Sequence, residues 1–174
     1  MLLNEFASDP PAATLGLLTL FYGQPLPVML VARWADFDLE AKLWLLPTGD
    51  LPLTAPVVKL LRRYRSTCGG DPTSYLFALP SGRGLSEAVA NKRVENLTGE
   101  WFPLDTLCAW ALKCVPDLMT GGEWVEKRLS EYVAKGATVT QVEALRREFA
   151  ARMRAQVEYW HDTLNLDELI APLC

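Results

Sequence analysis

Five tyrosines (Tyr22, Tyr64, Tyr75, Tyr132 and Tyr159) and one histidine, His161, are the side chains of this 174-residue chain best suited to nucleophilic attack or proton transfer. A tyrosine attacks phosphorus effectively only where cations surround the phosphate and stabilise the charge that develops on it. Three basic groups could supply them: Lys59, Arg62, Arg63 and Arg65; Arg83, Lys92 and Arg93, with Asn91 beside them; and Arg146, Arg147, Arg152 and Arg154. The third is interleaved with Glu143, Glu148 and Glu158, spacings that intrahelical ion pairs explain. The first two are candidates for gripping a DNA backbone, and the competing reading is that they solubilise exposed helix faces. Glu123, Glu126 and Glu131 could make paired carboxylates on a helix, where residues three and four apart share a face, and a solvated acidic surface is the simpler account. His161 stands beside Asp162 with no serine or cysteine near it in sequence, which gives a triad little support. Cys68, Cys108, Cys114 and Cys174 form no C-x-x-C pair and do not combine with a single histidine at ligand spacing. No metal or cofactor is expected, and the cysteines read as free thiols in a reducing compartment.

The bulk composition limits the partners. Seventeen basic against twenty-one acidic residues give a net charge of −4 and an isoelectric point near 5.1, against a surface that binds nucleic acid nonspecifically. A local basic face remains compatible with that balance. Half of the residues are hydrophobic and six are tryptophan, enough to build one core, so the expectation is a single domain over 1–174. The most apolar run, Ala12 to Phe21, is about half of what spans a bilayer, and no secretory leader is evident; no membrane contact and a cytoplasmic location are expected.

The elements that must position these residues follow from punctuation and periodicity. Asp9-Pro10-Pro11 predicts a helix start, with the apolar run to Tyr22 ended by Gly23, and a short helix is predicted from Val28 to Arg33. From Trp34 the pattern becomes β-compatible: strands around Phe37 to Leu39, Leu43 to Leu46 and Leu51 to Thr54, with turns at Glu40-Ala41-Lys42 and Pro47 to Asp50. Thr54-Ala55-Pro56 then opens a helix whose apolar side is Val57, Val58, Leu60, Leu61 and Tyr64. Tyr75 to Leu79 is extended between two loops, and Ser86 caps a helix running to about Leu97. Helices are predicted over Pro103 to Cys114, Glu123 to Ala134 and Thr140 to about Thr163, the last opened by a Thr140-x-x-Glu143 capping box. An apolar tail, with Leu166, Leu169, Ile170 and Leu173 at helical spacing, closes the chain. The fold class is therefore α+β, mainly helical, with a small antiparallel sheet.

The segment Arg33-Trp34-Ala35-Asp36-Phe37-Asp38-Leu39-Glu40, followed by Leu43-Trp44-Leu45-Leu46-Pro47, Leu51-Pro52-Leu53-Thr54 and Leu60-Leu61, resembles the opening of tyrosine recombinase catalytic domains, above all those of prophage-type integrases. In that family a Thr-Gly-x-Arg helix end leads into an Arg-Trp-x-Asp-Ile-Asp strand, a hairpin, a Val-Pro-Leu-Ser strand and a Leu-Leu helix. Tyr75-Leu76-Phe77 with Ser81-Gly82-Arg83-Gly84 is similar to the family's Tyr-Val-Phe-Pro-Ser segment. Leu85-Ser86 with Asn91-Lys92 resembles its next helix, and the surroundings of Trp160 resemble its closing Trp-Ala-Asp segment. The likeness covers nearly the whole chain in order, although each motif is weak alone.

The resemblance implies a fold whose chemistry is missing here. By register the first catalytic arginine falls at Pro25 and a nearby glutamate at Val28; the lysine turn is shortened to Thr48-Gly49-Asp50. The His-x-x-Arg box aligns with Phe102 and Asp105, the second histidine with Glu131 or Tyr132, and the nucleophile with Ala144, with Phe149 at a nearby aromatic position. Asp105 would place negative charge where phosphate should bind. The resemblance thus implies a catalytically inactive, integrase-like protein without the separate core-binding domain of full integrases. Two roles stay open: a DNA-binding or accessory protein in recombination of a mobile element, using Lys59, Arg62, Arg63, Arg65, Arg83, Asn91, Lys92 and Arg93 on double-stranded DNA; or a protein-interaction module, adaptor or inhibitor, on a fold that no longer binds DNA. The tail over 165–174, through Leu166, Leu169, Ile170 and Leu173, would dock on its own core, on a second copy or on a protein partner.

Overall fold

The computed structural model describes residues 8–47, 50–98, 104 and 130–165. The described part is mainly helical with one small antiparallel sheet. Helix α1, Pro10–Tyr22, is its centre: every residue from Ala12 to Tyr22 is buried, and α1 meets the helices described below on several sides. A helix that is apolar all round has no solvent face to offer and must be surrounded. Its start is set as the sequence suggests. Asp9 Oδ1 accepts from the Ala12 amide at 3.1 Å, while Pro10 and Pro11 fill first-turn positions where an N–H has no helical acceptor. Gly23, at φ 55°, ends it in the left-handed conformation and donates to the Thr19 carbonyl at 2.8 Å.

Helix α2 covers Leu26–Val31, two residues earlier than the periodicity predicts. Proline at the second position is acceptable in a first turn, so Pro27 starts this helix rather than excluding the residues before Val28. A single 3₁₀ turn, Trp34–Asp36, then delivers the chain to β1, Phe37–Asp38. Strands β2, Leu43–Trp44, and β3, Leu51–Pro52, complete the sheet in the order β1-β2-β3, with Phe37 opposite Trp44 and Trp44 opposite Leu51. Pro52 sits on an edge strand, where its missing donor costs nothing.

Aromatic contacts tie the sheet to α1. The buried Trp44 stacks on Phe37 at 5.0 Å and meets Tyr22 edge-on at 5.6 Å, and the Tyr22 hydroxyl donates to the Pro52 carbonyl at 2.9 Å. Helix α3, Ala55–Cys68, lays Val57, Val58, Leu60, Leu61 and Tyr64 against this core and leaves its basic residues outside. Thr54 occupies its N-cap position, but the hydroxyl makes no capping bond. The Tyr64 hydroxyl donates instead to the Leu76 carbonyl at 2.8 Å, holding the extended segment in place. That segment pairs only through two isolated bridges, Arg33 with Tyr75 and Ala78 with Gly84. Helix α4, Glu87–Thr98, packs on α1 and α2.

Helix α5, Val139–Leu164, lies against α1 and β3. It begins before the Thr140 and Glu143 box that the sequence suggests. Thr138 is the N-cap: its Oγ1 accepts from the Gln141 amide at 3.3 Å, and Gln141 Oε1 accepts from the Thr138 amide at 2.8 Å. The preceding turn fixes this register. Gly136, at φ 77°, donates to the Val133 carbonyl at 3.0 Å and Ala137 to the Tyr132 carbonyl at 2.9 Å, the paired bonds of a Schellman closure. Thr138 follows with extended backbone and a hydroxyl, and takes the cap. None of residues 139–148 is buried, whereas Gln156 and Val157 are. Among the described residues no helix is long and apolar enough to cross a membrane.

Candidate functional site

The fold sorts the five tyrosines by access. Tyr22 and Tyr64 are buried, each donating to a backbone carbonyl, and burial pushes both phenols well above their ordinary range; for Tyr64 the neighbouring Cys68 adds to the rise and Arg93 opposes it. Neither can ionise cheaply or reach a substrate. Tyr75 is half-buried under the Arg33 guanidinium, 4.2 Å from its ring centre. Tyr132 and Tyr159 are exposed. Around Tyr132 the chain offers Lys135, Gly136, Ala137 and Gln141, with one cation and no arginine in that lining among the described residues. A phosphotyrosine intermediate needs more positive charge than that.

The positions matched by register to recombinase catalytic residues fall as follows. Pro25 is the N-cap of α2, with its carbonyl accepting from Val28 and Met29 at 3.0 and 3.1 Å. Glu131 is half-buried beside the exposed Tyr132, and Ala144 is exposed on the first half of α5. Phe102 and Asp105 lie outside the described residues, as do Thr48 and Gly49 of the shortened turn and the tail residues Leu166, Leu169, Ile170 and Leu173.

Several of the basic candidates are engaged within the fold. Arg62 reaches Glu40 of the β1–β2 turn at 2.6 Å. Arg65 donates through Nε and Nη2 to the Gly70 carbonyl at 3.2 and 3.0 Å, with its guanidinium 5.2 Å from the Trp34 ring centre. Arg93 binds both oxygens of Asp9, at 2.7 and 2.5 Å, in a half-buried bidentate pair joining α4 to the start of α1. Lys92 approaches Glu95 at 3.9 Å. Lys59, Arg63 and Arg83 are exposed, and no ion pair reaches Arg63 or Arg83 among the described residues. Asn91 is half-buried, with Oδ1 enclosed and making no hydrogen bond. On α5, Arg146 pairs with Glu143 and Arg152 with Glu148, as the interleaving suggests.

Two concavities flank the end of α3. One, about 420 Å³, is lined by Tyr64, Cys68, Gly70, Tyr75 and Arg93 among others. Its thiol is pushed up by burial and by the Asp9 charge, with Arg93 pulling the other way, so it stays protonated and weakly nucleophilic. The other, open and shallow, lies between Arg62, Arg65 and the β1 backbone. Arg93 thus lines one of these concavities, and Arg62 and Arg65 the other.

No family model, curated protein or solved structure matches the chain. Its site must therefore be read from its own geometry. Sequence reasoning did not anticipate Asp9 as the partner of Arg93, because a contact across 84 positions leaves no periodic trace. Nor did it anticipate a third concavity, where Lys42 of the β1–β2 turn faces Arg154 and His161 of α5. The signal that could have found half of it is spacing: Arg154, Glu158 and His161 follow at intervals of four and three, one face of a helix.

Proposed function

We propose that this chain is a non-catalytic interaction module on a tyrosine-recombinase-like fold, and that its principal contact is with protein rather than DNA. The recombinase relationship rests on the order of motifs along the sequence, and the succession of helix, short helix, three-stranded meander and helix agrees with it. Loss of catalysis rests on Pro25, Glu131, Tyr132 and Ala144 standing where charge, proton transfer and nucleophile are required.

The observation that carries the choice of partner is the apolar corner where α5 begins. Tyr132, Val133 and Val139 are 37, 63 and 80% exposed around the Gly136 turn, and none of the first ten residues of α5 is buried. Exposed aliphatic and aromatic groups clustered on a rigid turn are what protein interfaces use at their centres. Two of the arginines suited to phosphate, by contrast, are engaged within the fold: Arg93 through Asp9, and Arg65 through Gly70 and Trp34. Transferring Arg93 to a phosphate would leave Asp9 half-buried without its partner.

A photo-crosslinking side chain placed at Val139, with a second at Arg63, tests the choice in the native host. Protein adducts from Val139, removed by Val133→Asp, are expected. DNA adducts from Arg63, with retention on duplex DNA that falls as salt is raised, would overturn the reading in favour of the DNA-binding one.

A further inference from the structure

The structure assigns a second binding site, for a phosphate-type oxyanion, to the cavity between the β1–β2 turn and α5. It has a volume of about 440 Å³, and its walls include Leu43, Leu53 and Pro56. Pockets of this size with apolar walls and a few convergent polar groups are the usual form of small-ligand sites. The basic groups in its lining are Lys42, Arg154 and His161, with Glu158 the single acid there among the described residues. Lys42 and Arg154 make no ion pair among the described residues, which sets them apart from Arg62, Arg93, Arg146 and Arg152. An oxyanion entering the cavity would therefore displace no internal carboxylate from either of them.

The backbone holds Lys42 in place for this. Its φ is 58°, a left-handed conformation that lysine rarely adopts. Asp38 Oδ1 enforces the turn by accepting from Glu40 and Ala41 at 3.1 and 2.8 Å, and the Lys42 carbonyl accepts from Leu53 at 2.8 Å. Arg154 and His161 are held on the opposite wall by α5, whose buried Gln156 and Val157 fix that stretch of helix against the core. Cations thus come from two separately anchored walls, and the amino-terminal end of α3 at Ala55 and Pro56 adds positive potential from a third side. A guanidinium and an ammonium lining one cavity suit the several oxygens of phosphate better than a single carboxylate.

Inorganic phosphate is the probe, titrated against the full chain while backbone amide resonances are recorded, with chloride at matched ionic strength as the reference. Saturable shifts confined to Lys42, Ala55, Arg154, His161 and their neighbours are expected. Lys42→Gly removes the charge at a position whose backbone glycine accepts readily, and Arg154→Gln removes the other; each should weaken binding about tenfold, the loss of a charge-assisted hydrogen bond. Arg147→Gln, on the same helix away from the cavity, should change nothing. Shifts reproduced by chloride, shifts spread over the surface, or affinity unchanged in both cavity variants while their spectra remain folded would each overturn the assignment.

Discussion

Replacing Gly70 by alanine would drive a methyl group into the indole of Trp34. A β-carbon built on Gly70 lies 2.1 Å from Trp34 Nε1, 2.5 Å from Cδ1 and 2.8 Å from Cε2. Carbon atoms rest at about 3.5–4.0 Å, so one of the two must retreat by roughly 1.5 Å. The indole is hemmed in on two faces. Its ring is 5.7 Å from the Tyr64 ring centre on one side, the Arg65 guanidinium lies over it at 5.2 Å, and Trp34 itself is buried. Moving Gly70 outward breaks the two hydrogen bonds that its carbonyl accepts from Arg65. Overpacking of this kind costs about 1–3 kcal/mol, and the φ of 152° adds backbone strain for a residue with a side chain. A total of about 3 kcal/mol corresponds, at about 2–4 °C per kcal/mol for a chain of this size, to a midpoint lowered by roughly 6–12 °C. Thermal unfolding followed by circular dichroism measures it. Gly69→Ala is the control: its φ of 74° is also unfavourable, but nothing lies within 4 Å of the added carbon. Gly69→Ala should cost only the backbone term, about 1–2 kcal/mol. Equal midpoints for the two variants would refute the reasoning, since the steric collision would then contribute nothing.

The two buried tyrosines predict an alkaline limit to stability. Burial raises the Tyr22 and Tyr64 phenols above their unfolded values, so above about pH 10 the unfolded chain releases protons that the folded chain retains, and stability falls as pH rises. Urea unfolding at pH 8 and pH 10.5 should show a clear loss, and the Tyr22→Phe, Tyr64→Phe double variant should show a shallower one. At pH 8 that variant should itself be weaker by about 1–1.5 kcal/mol for each lost hydroxyl bond; an unchanged pH slope would count against the assignment. For the α5 cap, Thr138→Ala should lower local helix stability by about 1 kcal/mol, read as faster amide exchange over residues 139–143, while Thr140→Ala should leave it unchanged. The reverse order would restore the capping box that the sequence suggests.

Helix α1 was readable because its start and stop signals are local: Asp9, two prolines and Gly23 act within a few residues of where they stand. The meander was readable from alternation and turn residues, and α3 from its apolar stripe. The α5 start was misread because Thr138-x-x-Gln141 and Thr140-x-x-Glu143 are both acceptable boxes, and the choice is made upstream, by a glycine turn whose hydrogen bonds no pattern of side chains reveals. Lys59, Arg62, Arg63, Arg65 and Lys92 lie exposed on helices, yet what Arg62, Arg65 and Arg93 do depends on Glu40, Gly70 and Asp9, residues brought in from other parts of the chain. The Lys42 cavity was invisible for the same reason. Long-range partners decide whether an arginine is a structural tie or a ligand contact, and composition does not encode partners.

Asp9 carries a consequence for how the molecule opens. One oxygen caps α1 while both receive Arg93 of α4, so a single carboxylate closes two elements at once. The first turn of α1 is thereby coupled to α4: fraying at Pro10 and Pro11 loosens the grip on Arg93, and detachment of α4 withdraws the cation that orients the cap. The amino-terminal end of the central helix should melt together with α4 as one cooperative unit, and amide exchange in the two should slow or quicken in step.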